Sequence, residues 1–208
     1  MGQLGSAARL SSYRYALLRF KALGRVRAFS QDIAAASGVT AAQVRKDFSV
    51  FQIPGNRKGG YDVQTLLDRI TNVLGLDRAN RFILAGVGNL GRALLGYARS
   101  YGDGIRIMAA FDVDPAKFSL DLGVPVMPLS QMPGFIQKED IGFGIIAVPD
   151  FAAQQVMELM VGAGIRGILN FAPICLYPPS GCVIRNVNLA AELEGLVYAV
   201  GTQRETGQ

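Results

Sequence analysis

Apolar positions along this 208-residue chain follow two rhythms, and the change falls near residue 79. Before it they recur at the three-and-four spacing of helices. Residues 11–23 are predicted as a helix with Tyr15, Leu18 and Ala22 on its apolar face and Gly24 as its stop, after a small polar stretch, 1–8, expected to be disordered. Residues 30–48 read as helix, turn, helix: Ala34 is small where two helices would cross, Gly38 sits in the turn, and Val44 anchors the second helix. Asp62 is placed to cap a further helix, 63–74, in which Val63, Leu66, Leu67, Ile70 and Leu74 form one stripe.

Beyond residue 79, short apolar runs alternate with helical segments, as a parallel sheet requires. Strands are expected near 82–85, 105–111, 124–126, 144–148, 167–170 and 182–185, and helices over 90–101, 115–120, 129–135, 151–163 and 187–200. The last helix carries Leu189, Leu193, Leu196, Val197 and Val200 at helical spacing. A closed sheet domain leaves no evident place for that stripe, so it is expected to pack on another subunit.

Two segments carry candidate chemistry. In the first, Thr40 and Gln43 form a T-x-x-Q capping box that fixes where the second helix begins. At about 100° per residue, Phe48 and Phe51 fall within about 40° of Val44, whereas Arg45, Lys46 and Ser49 lie about 100° to 160° away. One face is buried; the other is cationic and polar, as a helix entering a DNA groove requires. Residues 54–61 are glycine-rich and basic, and fit a β-turn wing whose Arg57 and Lys58 reach phosphates or a minor groove.

The second segment is Gly86-Val87-Gly88-Asn89-Leu90-Gly91, a complete G-x-G-x-x-G set between an apolar strand and a helix. Gly86 suits the tight turn, Gly88 the close approach of backbone to a pyrophosphate, and Gly91 the packing of helix on strand. The helix N-terminus would offer unpaired N–H groups to the phosphates. Asp112, 21 residues past Gly91 at the end of the next strand, is placed to accept hydrogen bonds from an adenosine ribose and to repel a 2′-phosphate, which favours NAD(H) over NADP(H). Ligands of such sheets lie outside the carboxyl ends of the strands, so Val148-Pro149 and Asn170-Phe171 are expected to line the same pocket.

Composition narrows the setting. Half the residues are apolar, enough for a sizeable core, and no apolar run has the length of a membrane span, so the cytoplasm is the expected compartment. With no His, and with Cys175 and Cys182 seven apart, no metal site is expected and both thiols read as reduced and structural. Residues 1–78 hold 12 Lys and Arg against 5 Asp and Glu, while residues 79–208 hold 9 against 11. That split suits a small module meeting a polyanion, joined to a near-neutral module with another task.

Taken together, Thr40-Ala-Ala-Gln-Val-Arg-Lys-Asp47, Gly59-Gly60-Tyr61, the glycine motif through Leu94, Ala110-Phe-Asp-Val-Asp-Pro115, Gly167-Ile-Leu-Asn-Phe-Ala-Pro173 and Arg185-Asn-Val187 resemble the Rex family of bacterial redox-sensing repressors, over residues 9–200. The resemblance implies an α/β chain: a winged helix-turn-helix domain at 9–78, a Rossmann-type parallel-sheet domain at 79–186, and a C-terminal helix and tail, 187–208, exchanged within a homodimer. It implies no catalysis, with NADH or NAD bound as effector and palindromic operator DNA released when NADH accumulates. Gln43, Arg45, Lys46, Ser49, Arg57, Lys58 and Tyr61 are then the DNA-facing group, and Leu189 approaches the partner subunit's nicotinamide pocket. Two departures stand out. Gln52 and Lys58 replace glycines of the family wing and Pro54 replaces its second aromatic, which can alter DNA preference. Asn188 stands where the family often has an Asp, linked by resemblance to Tyr97 and Arg14 in a switch, and a neutral amide makes the weaker link. The residues themselves leave two other readings open. One is a small NAD-dependent oxidoreductase, with Tyr97, Tyr101, Lys117 and Lys138 as nominal proton donors; the other is a regulator sensing another adenine nucleotide such as coenzyme A.

Overall fold

The computed structural model describes residues 2–54, 59–98 and 104–206, which divide into two compact units at Arg78 and Ala79. The first unit is helical, and helix α1 (Gly2–Ala22) already begins within the stretch expected to be disordered. The apolar face of α1 differs from the expected one: Tyr15 is 57% exposed and Leu18 and Ala22 also face outward, while Leu10, Tyr13, Leu17 and Phe20 are buried. Both sets have helical spacing, and the second is chosen because it meets Ile33, Val44, Phe48 and Ile70 in a common core. Each such side chain contributes about 1.5–3 kcal/mol by burial.

The helix-turn-helix is formed by α2 (Ser30–Ser37) and α3 (Ala41–Val50), with Gly38 closing α2 in the left-handed conformation that the turn requires. Strand β1 (Arg27–Ala28) pairs antiparallel with β2 (Tyr61–Asp62), which leads into α4 (Val63–Val73). Asp62 caps α4 as expected, accepting from the Thr65 N–H at 2.8 Å. Phe48 is the centre of this core, edge-on to Tyr13 and to Tyr61 at 5.8 and 5.2 Å between ring centroids.

The second unit is one six-stranded parallel sheet of β3 (Asn80–Ala85), β4 (Ile105–Asp112), β5 (Val126–Pro128), β6 (Phe143–Ile146), β7 (Gly167–Asn170) and β8 (Val183–Asn186), in the order β5-β4-β3-β6-β7-β8. The chain builds outward from β3 on one side and then returns to β6 on the other, so the strand order reverses beside β3. That order is the Rossmann arrangement. Helices α5 (Asn89–Ala98), α6 (Met132–Lys138) and α7 (Asp150–Gly162) match expected elements, but the helix expected at 115–120 is only a 3-10 turn, Pro115–Lys117. Alternating strand residues feed two cores: Ile83, Ala109 and Ile146 pack with Met157 and Met160, whereas Leu84, Ala110 and Ile145 pack with Leu95. Helix α8 (Leu189–Thr206) keeps its apolar stripe uncovered, with Leu189, Leu193, Leu196, Val197 and Val200 between 46% and 73% exposed.

Candidate nucleotide cleft and nucleic-acid face

In the sheet unit, β3 delivers the glycine motif to the point where the strand order reverses. Gly86 has φ of 95°, and a Cβ there would stand 2.4 Å from the Ala147 carbonyl oxygen; one on Gly91 would stand 2.0 Å from the Gly86 oxygen. Both positions therefore require glycine. Gly88 meets nothing within 4 Å, so its backbone is open to a ligand. Together with the first turn of α5, whose N–H groups have no intrahelical acceptor, this is a fit for a pyrophosphate.

A cleft of about 650 Å³ opens there, lined by the expected Gly86, Gly88, Asn89, Leu90, Asp112, Val148 and Pro149. Val87 and Gly91 are buried and support it from beneath. Asn170 and Phe171 do not line it. Asn170 is fully buried: its amide group donates to the Ala172 and Ile174 carbonyls and to Asn186, and its oxygen accepts from the Ala172 N–H, which ties the β7 turn. Phe171 packs into the core beneath α5. Unexpected lining residues come from the next elements along: Lys117, Leu129, Phe151 and Gln155. Their signal was the rule already used for strand ends, extended one turn into the elements that follow.

Asp112, 8% exposed, is held by more protein donors than the sequence indicated. Its Oδ2 accepts from the Val87 N–H at 2.7 Å and from Lys117 Nζ at 3.0 Å, and its Oδ1 accepts from the Asp114 N–H at 3.0 Å. Burial works against its ionisation, but the two N–H groups and the ammonium outweigh it and hold the carboxyl below its ordinary range. The aspartate thus locks the glycine loop as well as facing the cleft. Cys182 is part-buried and burial pushes its thiol up, Cys175 is exposed, and both are free thiols. Among the described residues no cluster of His, Cys, Asp or Glu could hold a metal ion.

In the helical unit, Arg45, Lys46 and Ser49 are exposed on α3, opposite its buried Val44 and Phe48. Arg45 donates to Ser30 Oγ at 3.1 Å. Only half of the expected capping box forms: Thr40 Oγ1 accepts from the Gln43 N–H at 3.1 Å, but the Gln43 side chain donates to Asp47 Oδ1 at 2.9 Å instead of reaching back. Gln43 is therefore tethered, unlike the freely exposed Lys46. Tyr61 is packed by its ring against Phe48, a core contact rather than a groove-facing one, and burial raises its hydroxyl. Arg57 and Lys58 lie outside the described residues. Asp47, which sequence reasoning passed over, is the hub: 1% exposed, it also accepts from Arg9 through both oxygens at 2.7 Å and from the Tyr13 hydroxyl at 2.8 Å.

The substituted positions have structural consequences. Gln52 adopts φ of 54°, the left-handed region that favours the glycine of the family wing. Asn188 Oδ1 accepts from the Ala190 and Ala191 N–H groups at 3.1 Å and caps α8, a role in which Asn and Asp are equally good. Arg14 donates to Thr71 Oγ1 at 3.3 Å within the helical unit, and Tyr97 is exposed on α5 of the sheet unit.

A helix-turn-helix unit and a Rossmann unit with a dinucleotide-sized cleft in one chain define a class: nucleotide-responsive DNA-binding regulators. Residues 5–49 match a family model described as the putative DNA-binding protein N-terminus, and residues 77–174 match one described as the CoA binding domain. The chain is 38% identical over 201 residues to the redox-sensing transcriptional repressor Rex of Lactobacillus gasseri, covering 96% of this chain and 94% of that protein. It is also 38% identical over 204 residues to that of Streptomyces coelicolor, covering 98% and 78%. Among solved structures, RSP in complex with beta-NAD+ and operator DNA aligns with a TM-score of 0.89 at 32% identity, covering 98% of this chain and 94% of that one. RSP, a Rex-family repressor, aligns without those partners at 0.85, covering 98% and 97%. The chain belongs to the Rex family, as its motifs indicated. Its relatives are named as repressors, not enzymes.

Proposed function

We propose that this chain is a DNA-binding transcriptional repressor that senses the NADH/NAD state of the cytoplasm and leaves operator DNA when NADH binds. The observation that carries it is the union, in one chain, of a helix-turn-helix with a cationic exposed face and a Gly86–Gly88–Gly91 cleft edged by Asp112. Arg45, Lys46 and Ser49, with Arg57 and Lys58, meet the DNA; Gly88 and the first turn of α5 hold the pyrophosphate. The uncovered stripe of α8 supports a homodimer, and a dimer suits a palindromic site. An effector shifts such a dimer only by binding one arrangement more tightly than the other, so NADH must favour the arrangement that does not fit the operator. RSP is known both with beta-NADH and with beta-NAD+ plus operator DNA, which supports that division of roles.

The test is binding of the purified chain to a panel of palindromic DNA sites at fixed salt, with NADH or NAD present. Fixed salt matters because phosphate contacts dominate the apparent affinity. Specific binding that NADH abolishes and NAD does not is the expected outcome; specific binding indifferent to both would overturn the redox reading. The match of residues 77–174 to a coenzyme A-binding description favours a second reading, tested by competition of coenzyme A against NADH for the cleft.

A further inference from the structure

Lys117 belongs to no part of the glycine motif, yet it reaches into the cleft at the edge where Asp112 stands. It ends the 3-10 turn Pro115–Lys117, which Asp114 caps by accepting from the Ala116 N–H at 3.0 Å, so its backbone is fixed directly behind β4. Its ammonium lies 3.0 Å from Asp112 Oδ2. The carboxylate cannot swing away from that ammonium, because the Val87 and Asp114 N–H groups hold both of its oxygens. We propose that Asp112 and Lys117 form a gate on the ribose 2′ position: the carboxylate repels a 2′-phosphate and also occupies the cation that would otherwise bind one. This inference rests on the reading of the cleft as a dinucleotide site.

Charge explains why the pair works as a gate and not simply as an ion pair. Three charged side chains line this edge, Asp112, Asp114 and Lys117, so it is net anionic with Asp112 ionised. Asp114 is exposed, where solvent and salt weaken its field. Removing the charge of Asp112 leaves the edge balanced and frees the Lys117 ammonium, a compact donor well suited to phosphate. The specificity for a nucleotide without 2′-phosphate therefore resides in one carboxylate, with a receptor for the phosphorylated form held in check beside it.

The experiment is calorimetric titration of the full chain with NADH and with NADPH. The unaltered chain is expected to bind NADH and to bind NADPH about 100-fold more weakly or worse. Asp112→Ser is expected to raise NADPH affinity by about 10- to 100-fold, the range of a charge-assisted contact. Adding Lys117→Ala in that background should remove the gain, whereas Lys117→Ala alone should leave NADPH binding where it was. Asp112→Asn, closer in shape, gives the same direction of change should Ser loosen the glycine loop. A gain that survives Lys117→Ala, or no gain in either Asp112 variant while NADH still binds, overturns the gate and leaves the nucleotide reading standing. Failure of the unaltered chain to bind NADH overturns both.

Discussion

Asp47 in the helical unit takes its hydrogen bonds from the side chains of Arg9, Tyr13 and Gln43, two of them on a helix more than thirty residues earlier. Asp112 in the sheet unit takes two of its three from the backbone N–H groups of Val87 and Asp114, and the third from Lys117. The first arrangement sets an angle between helices, because its donors sit on α1 and its acceptor on α3. The second sets the path of a loop, since backbone donors follow the chain wherever it turns. A recognition helix is thus oriented by side chains that substitution can remove one at a time, whereas a phosphate loop is shaped largely by main chain and is more vulnerable to added bulk than to lost contacts.

The sharpest way to break this contrast is to add that bulk. Gly91→Ala places a methyl 2.0 Å from a backbone oxygen, and about 3 kcal/mol or more of stability should be lost in denaturant unfolding. Gly88→Ala meets nothing within 4 Å, so its stability should change by about 0.5 kcal/mol or less, while NADH affinity falls about tenfold or more as the methyl enters the pyrophosphate path. Equal destabilisation by the two would mean that the loop is not held as described.

Next in size is Asp47→Ala, which deprives the fully buried Tyr13 hydroxyl of its acceptor and should cost about 2–3 kcal/mol by urea midpoint, with operator binding weakened in parallel. The link also fades in acid. The Arg9 guanidinium, opposed by burial and aided by Tyr13 and Gln43, holds the Asp47 carboxyl below its ordinary range. A depressed folded value means that the stabilisation is complete above about pH 4, the unfolded value, and is lost as pH falls through the lower folded one. Asp47→Asn should therefore show a smaller loss of stability in that window than the unaltered chain. The smallest effect expected is a gain: Gln52→Gly relieves a left-handed backbone with φ of 54° and should raise stability by about 0.5–1 kcal/mol in thermal unfolding.

Local patterns reveal one side of this contrast better than the other. The glycine motif, the parallel alternation and the cap at Asp62 are read within a few residues of themselves, and the structure has each of them. The buried face of α1 is not readable in that way, because Leu10, Tyr13, Leu17 and Phe20 repeat as regularly as Tyr15, Leu18 and Ala22, and only the partners across the core decide between them. Asp47 was hidden for a related reason. On a helix of polar and basic residues it looks like one more solvated charge, and its donors lie far back in the chain. Gln43 follows from it, since a buried carboxylate one turn away is a stronger acceptor for the amide than the helix end is a donor. The far wall of the cleft escaped because it is supplied by Phe151 and Gln155, in the first turns of α7, past the loop where strand-end reasoning stops.

The core around Phe48 and the two around the sheet have no residue in common. Heat therefore need not melt the chain in a single cooperative step. Each unit keeps its own melting enthalpy and midpoint, and a single unfolding free energy assigned to the whole chain would blend two transitions. A substitution in one unit can lower its own transition and leave the other in place, so a damaged grip on DNA and an intact grip on nucleotide can coexist in one folded molecule.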